Sequence, residues 1–289
     1  MENNEKDKVP EKIFVVPYRD RVEHKTIFLH YMKHILEGQN YKIYIVEQND
    51  KRHFNRGALK NIGFMTAKKN YPNDYKNMTF IFHDIDLLPY KMGLFDYTAK
   101  EGEASHYYGF KFLLGGIVAM NGKDYERING FPNYWAWGWE DNALQLRFKT
   151  RLNGKVNRDN FLVVGDSKVL SYYHGLYRTT SPTNQDQYHK EYKDHLIYSG
   201  IHSIKDLEIN QKHDNENVIH IEVNKFLTEF PEDKYIYRKE KVGDIGIRLK
   251  RENLQRRREE NRLKLMKQQN GIDPMLNRFK QKGKYNLLL

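Results

Sequence analysis

The spacing of apolar positions changes period several times in the first ninety residues. Ile13-Phe14-Val15-Val16 is a short apolar run closed by Pro17, the pattern of a buried strand. Between Val22 and Leu36 the apolar residues Ile27, Phe28, Tyr31, Met32 and Ile35 recur at helical spacing, and Gly38 marks the stop. Tyr41 to Val46 reads as a second strand, Ala58 to Ala67 as a helix and Thr79 to His83 as a third strand. This β-α-β-α-β succession predicts an α/β fold with a mixed, mainly parallel sheet flanked by helices. Further on, a helix is expected after Asn142 as far as Leu152, then a strand at Phe161–Val164. Short strands such as Val218–Val223 follow within a mixed segment, 165–230. The chain thus divides into a flexible leader (1–11), one α/β domain (12–230) and a charge-dense extension (231–289). In the extension, Ile245–Lys267 predicts a weakly amphipathic basic helix.

Ligands of such sheets collect at the carboxyl ends of strands, and two polar clusters fall there. They are Tyr18-Arg19-Asp20-Arg21 after the first strand and His83-Asp84-Ile85-Asp86 after the third. In an extended segment Asp84 and Asp86 would address one side, with Ile85 turned to the core. Hard carboxylate oxygens at a strand end suit Mg²⁺ or Mn²⁺ on a diphosphate. Asp-x-Asp alone is common by chance; the apolar residues flanking it are what fix the pair at a strand terminus. Arg19, Arg21 and Arg56 (in Phe54-Asn55-Arg56) carry guanidinium forks that match phosphate oxygens, although a single loop arginine is more often merely solvated.

All three tryptophans lie in Tyr134-Trp135-Ala136-Trp137-Gly138-Trp139, immediately before Glu140 and Asp141. Tryptophan is most often core mass. Three at alternate positions beside two acids favour a wall for pyranose rings, with a general base at its end. His174, three residues after Ser171, is a further candidate metal ligand, since imidazole suits Mn²⁺-type sites. No Gly-rich phosphate loop of the dinucleotide or P-loop type occurs.

The absence of cysteine excludes disulfides and thiolate metal sites. The polar first residues carry no signal-peptide core, and no apolar run is long enough to span a membrane. The expected setting is therefore a soluble protein of the cytoplasm, as an intracellular microbe or virus would use. The net charge of +11 is concentrated, because Gly243–Leu289 holds thirteen Lys and Arg against five Asp and Glu, a local +8. Only +3 remains for the preceding residues, so the basicity describes the tail, which suits an acidic partner or an anionic surface.

Taken in order, seven motifs resemble the β-1,4-galactosyltransferase family (glycosyltransferase family 7) over roughly Ile13 to Phe230. They are Pro17-Tyr18-Arg19-Asp20-Arg21, Phe54-Asn55-Arg56, Asp84-Ile85-Asp86, Gly115-Gly116, Asn129-Gly130-Phe131-Pro132-Asn133, the tryptophan block with Glu140-Asp141, and His174. The resemblance implies a GT-A fold, Mn²⁺ (or Mg²⁺), a UDP-sugar donor, a glycan or glycoprotein acceptor and inversion at the anomeric carbon. It implies that Pro17, Arg19, Arg21, Phe54 and Arg56 line the UDP pocket, with Asp84 near the donor and Asp86 and His174 binding the metal. Trp137 would floor the sugar site beside Leu113, Gly116, Trp139 and Asn142. Glu140 would contact substrate, and Asp141 would be the catalytic base.

The chain also departs from that pattern. Trp139 stands where vertebrate members have Gly, and Asn142 where they have a third acid, which puts N-acetylglucosamine as acceptor in question. Leu113 replaces the Tyr of galactose-specific members, so UDP-GalNAc stands beside UDP-galactose as a donor. Ser171 replaces a Met found in many members, which moves the expected metal from Mn²⁺ toward Mg²⁺. Three other readings stay open: a nucleotidyltransferase, which also uses acidic pairs and metal; an inactive sugar- or nucleotide-binding protein of the same fold; and a nucleic-acid-binding protein acting through its tail. Binding of the last kind weakens steeply with salt.

Overall fold

The computed structural model describes residues 8–172, 175, 177–180, 185–241, 254–255 and 258–266, with the backbone alone for 185–191. The chain forms two compact units, Met1–Lys239 and Glu240–Leu289. In the second, residues 254–255 and 258–266 are helical and exposed; the rest of the expected basic helix lies outside the described residues.

The elements begin with β1 (Lys12–Tyr18), α1 (Val22–Ile35), β2 (Tyr41–Gln48), α2 (Arg56–Asn70), β3 (Thr79–His83) and β4 (Leu87–Pro89). Then come β5 (Glu103–Gly109), β6 (Ile117–Asn121), α3 (Gly122–Arg127), α4 (Glu140–Leu152), β7 (Lys155–Asn157) and β8 (Leu162–Val163). The series closes with β9 (Val169–Ser171), β10 (Tyr177–Thr180), α5 (Gln185–Tyr198), β11 (Lys205–Asn215), β12 (Val218–Leu227) and β13 (Arg238–Lys241). The main sheet runs β11-β12-β2-β1-β3-β6-β5-β7, with β8 also on β5. Its centre is parallel, β1 pairing with β2 and β3, and β12 with β2. β6 lies antiparallel between β3 and β5.

The uniformly apolar strands have a direct cause. Ile13 and Val15 of β1 enter the core under α2, while Phe14 and Val16 enter the opposite core under α1. A strand covered on both faces loses the polar alternation of a half-buried one. On α1, Phe28, Met32 and Ile35 are buried, whereas Ile27 is exposed. α2 approaches the sheet at Gly63, where a Cβ would lie 2.4 Å from Val15 Cγ1. Among the described residues no helix is long and apolar enough to cross a membrane.

α4 starts earlier than the expected position after Asn142. The Trp139 carbonyl accepts the Ala143 N–H at 3.0 Å, so Glu140 and Asp141 occupy the first helical turn.

Candidate active site

Because β1, β2 and β3 are parallel, the segments that follow them emerge on one edge of the sheet. Arg56 is the first residue of α2, and its position is set by Asn55. The Asn55 side chain accepts the Ala58 N–H at 2.9 Å, capping the helix, and donates to the Asn133 carbonyl at 3.1 Å. Asn55 N–H donates to Gln48 Oε1 at 2.8 Å, tying the helix start to the end of β2.

From there Arg56 reaches three carboxylates. Nη1 donates to Asp84 Oδ2 at 2.7 Å, Nε to Glu140 Oε1 at 2.9 Å, and Nη2 to Asp141 Oδ2. One turn along α2, the buried Lys60 places Nζ 3.5 Å from Asp84 Oδ1. Glu140 and Asp141 lie at the amino end of α4, where the helix dipole favours negative charge. Glu140 Oε2 and Asp141 Oδ1 are buried and have no hydrogen-bond partner among the described residues.

The carboxylates differ in their protonation. Burial pushes the Asp141 carboxyl up to about 6, with Arg56 and Lys60 opposing and Glu140 and Asp84 adding to the rise. Asp84 is buried too, but Arg56 and Lys60 outweigh that and hold it below the usual carboxylate range. Asp86 is raised by burial and by the neighbouring Asp84 charge, and Arg21, with Nη1 3.6 Å from Oδ2, offsets this only in part. Desolvation works against the Arg56 charge, but the three carboxylates hold its proton well above the ordinary value.

Asp84 and Asp86 are not side by side on an extended segment, as the sequence pattern suggests. β3 ends at His83, and the Leu87 N–H closes a turn on the Asp84 carbonyl at 3.2 Å. Asp84 therefore faces Arg56 and Lys60, while Asp86 faces Arg21. Ile85 is buried as expected.

Four carboxylates (Asp84, Asp86, Glu140, Asp141) thus meet three cations (Arg21, Arg56, Lys60). Hard oxygen donors with excess negative charge suit Mn²⁺ or Mg²⁺, and Asp86 is the less compensated of the aspartate pair. Among the described residues no three His, Cys, Asp or Glu side chains converge as a ligand set. His174 lies outside the described residues.

The other expected residues fall around this cluster. Arg19 donates to the carbonyls of Asp50 (3.2 Å) and Arg52 (2.7 Å) and lies 5.3 Å from the Phe54 ring centroid. It borders an open depression of about 600 Å³ that Gln48, Asp50, Arg52 and His53 also line. Pro17 is buried at the end of β1. Gly115 packs on Asp141, and Gly116, at φ +75°, follows it into β6. Leu113 and Asn142 are half-buried.

The tryptophan stripe is divided. Trp135 is core: it stacks on Phe226 at 5.3 Å and donates Nε1–H to the Phe230 carbonyl at 2.8 Å. Ala136 takes a left-handed φ of 64°, which breaks the alternation the sequence implies. Trp137 is 46% exposed, and Trp139 is half-buried at the head of α4.

Three residues escaped the sequence reading. Lys60 carried a usable signal, four positions after Arg56 and so on the same helix face. His106 and Arg158, which brace the loop before β6, carried none, because only the pairing of β5 with β6 and β7 brings them together.

Two family profiles match the chain: "N-terminal region of glycosyl transferase group 7" over residues 6–95 and "N-terminal domain of galactosyltransferase" over residues 98–174. Bos taurus beta-1,4-galactosyltransferase 1 is 31% identical over 207 residues, 68% of this chain and 50% of that protein. Caenorhabditis elegans xylosylprotein 4-beta-galactosyltransferase is 32% identical over 210 residues, 66% and 69% respectively. The chain spans about half the length of the mammalian beta-1,4-galactosyltransferase 1 proteins it matches. The catalytic domain of Drosophila beta1,4-galactosyltransferase 7, solved with xylobiose, superposes with a TM-score of 0.63 at 21% identity. That match covers 78% of this chain and 97% of the domain, and establishes the fold as the one these enzymes share. A mutant of the same protein, solved with manganese, UDP-Gal and xylobiose, gives 0.62 at 22% identity over the same shares.

Proposed function

The chain belongs to the group 7 family of galactosyltransferases, and from that premise we propose that it is an inverting, metal-dependent transferase. It moves galactose from UDP-galactose to a hydroxyl of a glycan acceptor, in a β-1,4-type linkage. The observation that carries this reading is Asp141. One carboxylate oxygen is held by Arg56, and the other is buried and without a hydrogen-bond partner among the described residues, a partner that an acceptor hydroxyl would supply.

The donor's diphosphate lies along Arg19, Arg21 and Arg56, with Pro17 and Phe54 beside the nucleoside and Asp84 close to the sugar. Asp86, with His174, would hold Mn²⁺ or Mg²⁺, and the metal would supply positive charge against the UDP leaving group. Trp137 offers an exposed ring face to the sugar, with Leu113, Gly116, Trp139 and Asn142 shaping the cavity around it. Glu140 contacts substrate. Asp141 takes the acceptor proton on Oδ1 as the acceptor oxygen bonds to C1 from the face opposite UDP and the C1–O bond to UDP breaks. A carboxyl poised near pH 6 is ionised at neutral pH yet basic enough to share that proton. Holding both substrates in line supplies much of the remaining acceleration.

A glycan acceptor is supported by the Caenorhabditis relative, whose name makes it a xylosylprotein galactosyltransferase, and by the xylobiose in the Drosophila structures. Leu113 keeps UDP-GalNAc as a second donor. UDP release from UDP-galactose and UDP-GalNAc, each with Mn²⁺, Mg²⁺ or EDTA, tests the proposal. Release that requires metal and favours UDP-galactose supports it; no metal-dependent release from either donor refutes it and leaves a sugar- or nucleotide-binding protein.

A further inference from the structure

A side-chain relay leads into the candidate site from the far edge of β5. Arg158 Nε donates to His106 Nδ1 at 3.1 Å. A guanidinium can only donate, so this bond fixes the His106 tautomer with its proton on Nε2. Nε2–H then points at two carbonyls, Gly115 at 3.0 Å and Tyr108 at 3.2 Å. Burial and the Arg158 charge push the His106 imidazolium down to about 4, so the ring is neutral at physiological pH. Arg158 Nη2 also donates to Gln145 Oε1 at 2.9 Å and to the Leu113 carbonyl at 3.4 Å. Gln145 in turn donates to the Phe112 carbonyl at 3.1 Å.

The carbonyls of Phe112, Leu113 and Gly115 are therefore all held by one network, and this loop touches both halves of the carboxylate cluster. Leu114 N–H donates to the Asp141 carbonyl at 3.1 Å, and the Gly116 carbonyl accepts the Asp84 N–H at 3.1 Å. Gly115 itself lies against the Asp141 carboxylate.

We propose that Arg158 and His106 form a positioning relay that sets the 112–116 loop against Asp141 and so governs acceptor transfer without touching substrate. The inference rests on the transferase reading above for its kinetic consequence, but not for its structural one.

The test has two arms. ¹⁵N NMR of the His106 imidazole should show the Nε2–H tautomer in the wild type and a mixed population in Arg158→Met; a wild type protonated on Nδ1 overturns the relay whether or not the protein turns over sugar. In kinetics with UDP-galactose, Mn²⁺ and a glycan acceptor, Arg158→Met and His106→Leu should each lower transfer kcat by about ten- to a hundred-fold, with the Kd for UDP-galactose within about twofold of wild type. The double variant should be no worse than either single one, because residues acting as a unit are not additive. His106→Gln, which can accept from Arg158 and donate to Gly115, should recover most of the loss in His106→Leu. Additive losses, or donor affinity and transfer falling together with no rescue by Gln, would reduce the pair to a merely structural role. Absence of turnover in the wild type, with the tautomer as stated, would count against the transferase reading and leave the relay standing.

Discussion

The α-carbon of Gly115 packs against the carboxylate of Asp141, where a Cβ would stand 2.2 Å from Oδ2 and 2.5 Å from Cγ. No side chain fits there unless Asp141 moves. Gly115→Ala is therefore expected to displace the carboxylate from Arg56 and to lower transfer by about a hundred-fold, the scale of a misplacement near 1 Å. Steady-state kinetics beside donor-binding calorimetry checks this, and an alanine variant with wild-type transfer would show that the contact does not constrain the base.

The two tryptophans on either side of Ala136 should behave as different residues. Trp135→Ala removes a buried ring and its hydrogen bond to Phe230, and should cost about 3–5 kcal/mol of unfolding free energy. Trp137→Ala, exposed, should change stability by no more than about 0.5 kcal/mol while weakening use of the sugar substrates. Urea unfolding of both variants is the check, and equal destabilisation would contradict the division.

Leu113 bears on donor choice. Leu113→Tyr fills space beside Gly115 and Gly116 and should lower use of UDP-GalNAc relative to UDP-galactose by about tenfold, since a steric difference of this kind is worth 1–3 kcal/mol. The ratio of kcat/KM for the two donors reads this directly; an unchanged ratio removes Leu113 from the specificity argument.

Asp141 should impose a stability cost at neutral pH. Its carboxyl is raised in the folded protein from 3.8 to about 6, so between those values the folded state binds more protons than the unfolded one. Stability present below the unfolded value is lost as pH rises through about 6. At pH 7.5 the ionised form is held against burial, a cost of about 3 kcal/mol. Asp141→Asn should thus match or exceed the wild-type Tm at pH 7.5 and lose that advantage near pH 4. A lower Tm at pH 7.5 would mean that the Arg56 pairing outweighs burial.

Much of this was legible in the sequence, and the limits have physical causes. β1, β2 and β3 could be read because both faces of each strand are buried, so apolar runs mark them without ambiguity. Their parallel order then places the segments holding Arg19, Arg21, Arg56 and Asp84 on one edge. The turn at Asp84–Leu87 was misread because a strand's end is set by a backbone hydrogen bond, not by the residue pattern. The tryptophan stripe failed for a similar reason, since one left-handed residue, Ala136, turns Trp135 inward and leaves Trp137 outside. The Arg158–His106 pair was invisible because residues 52 positions apart meet only through sheet pairing. Arg56 was read as a phosphate ligand, and its engagement with three carboxylates at once emerges only in three dimensions.

The most direct measurement is the pH–rate profile of galactose transfer by wild type and Asp141→Asn, with UDP-galactose and Mn²⁺ saturating. The wild-type kcat should rise through about pH 6 and level off above it, as Asp141 loses its proton. The asparagine variant should bind donor normally, run about two to four orders of magnitude slower and show no such rise. Equal rates in the two proteins, or the same rise in both, would contradict Asp141 as the base.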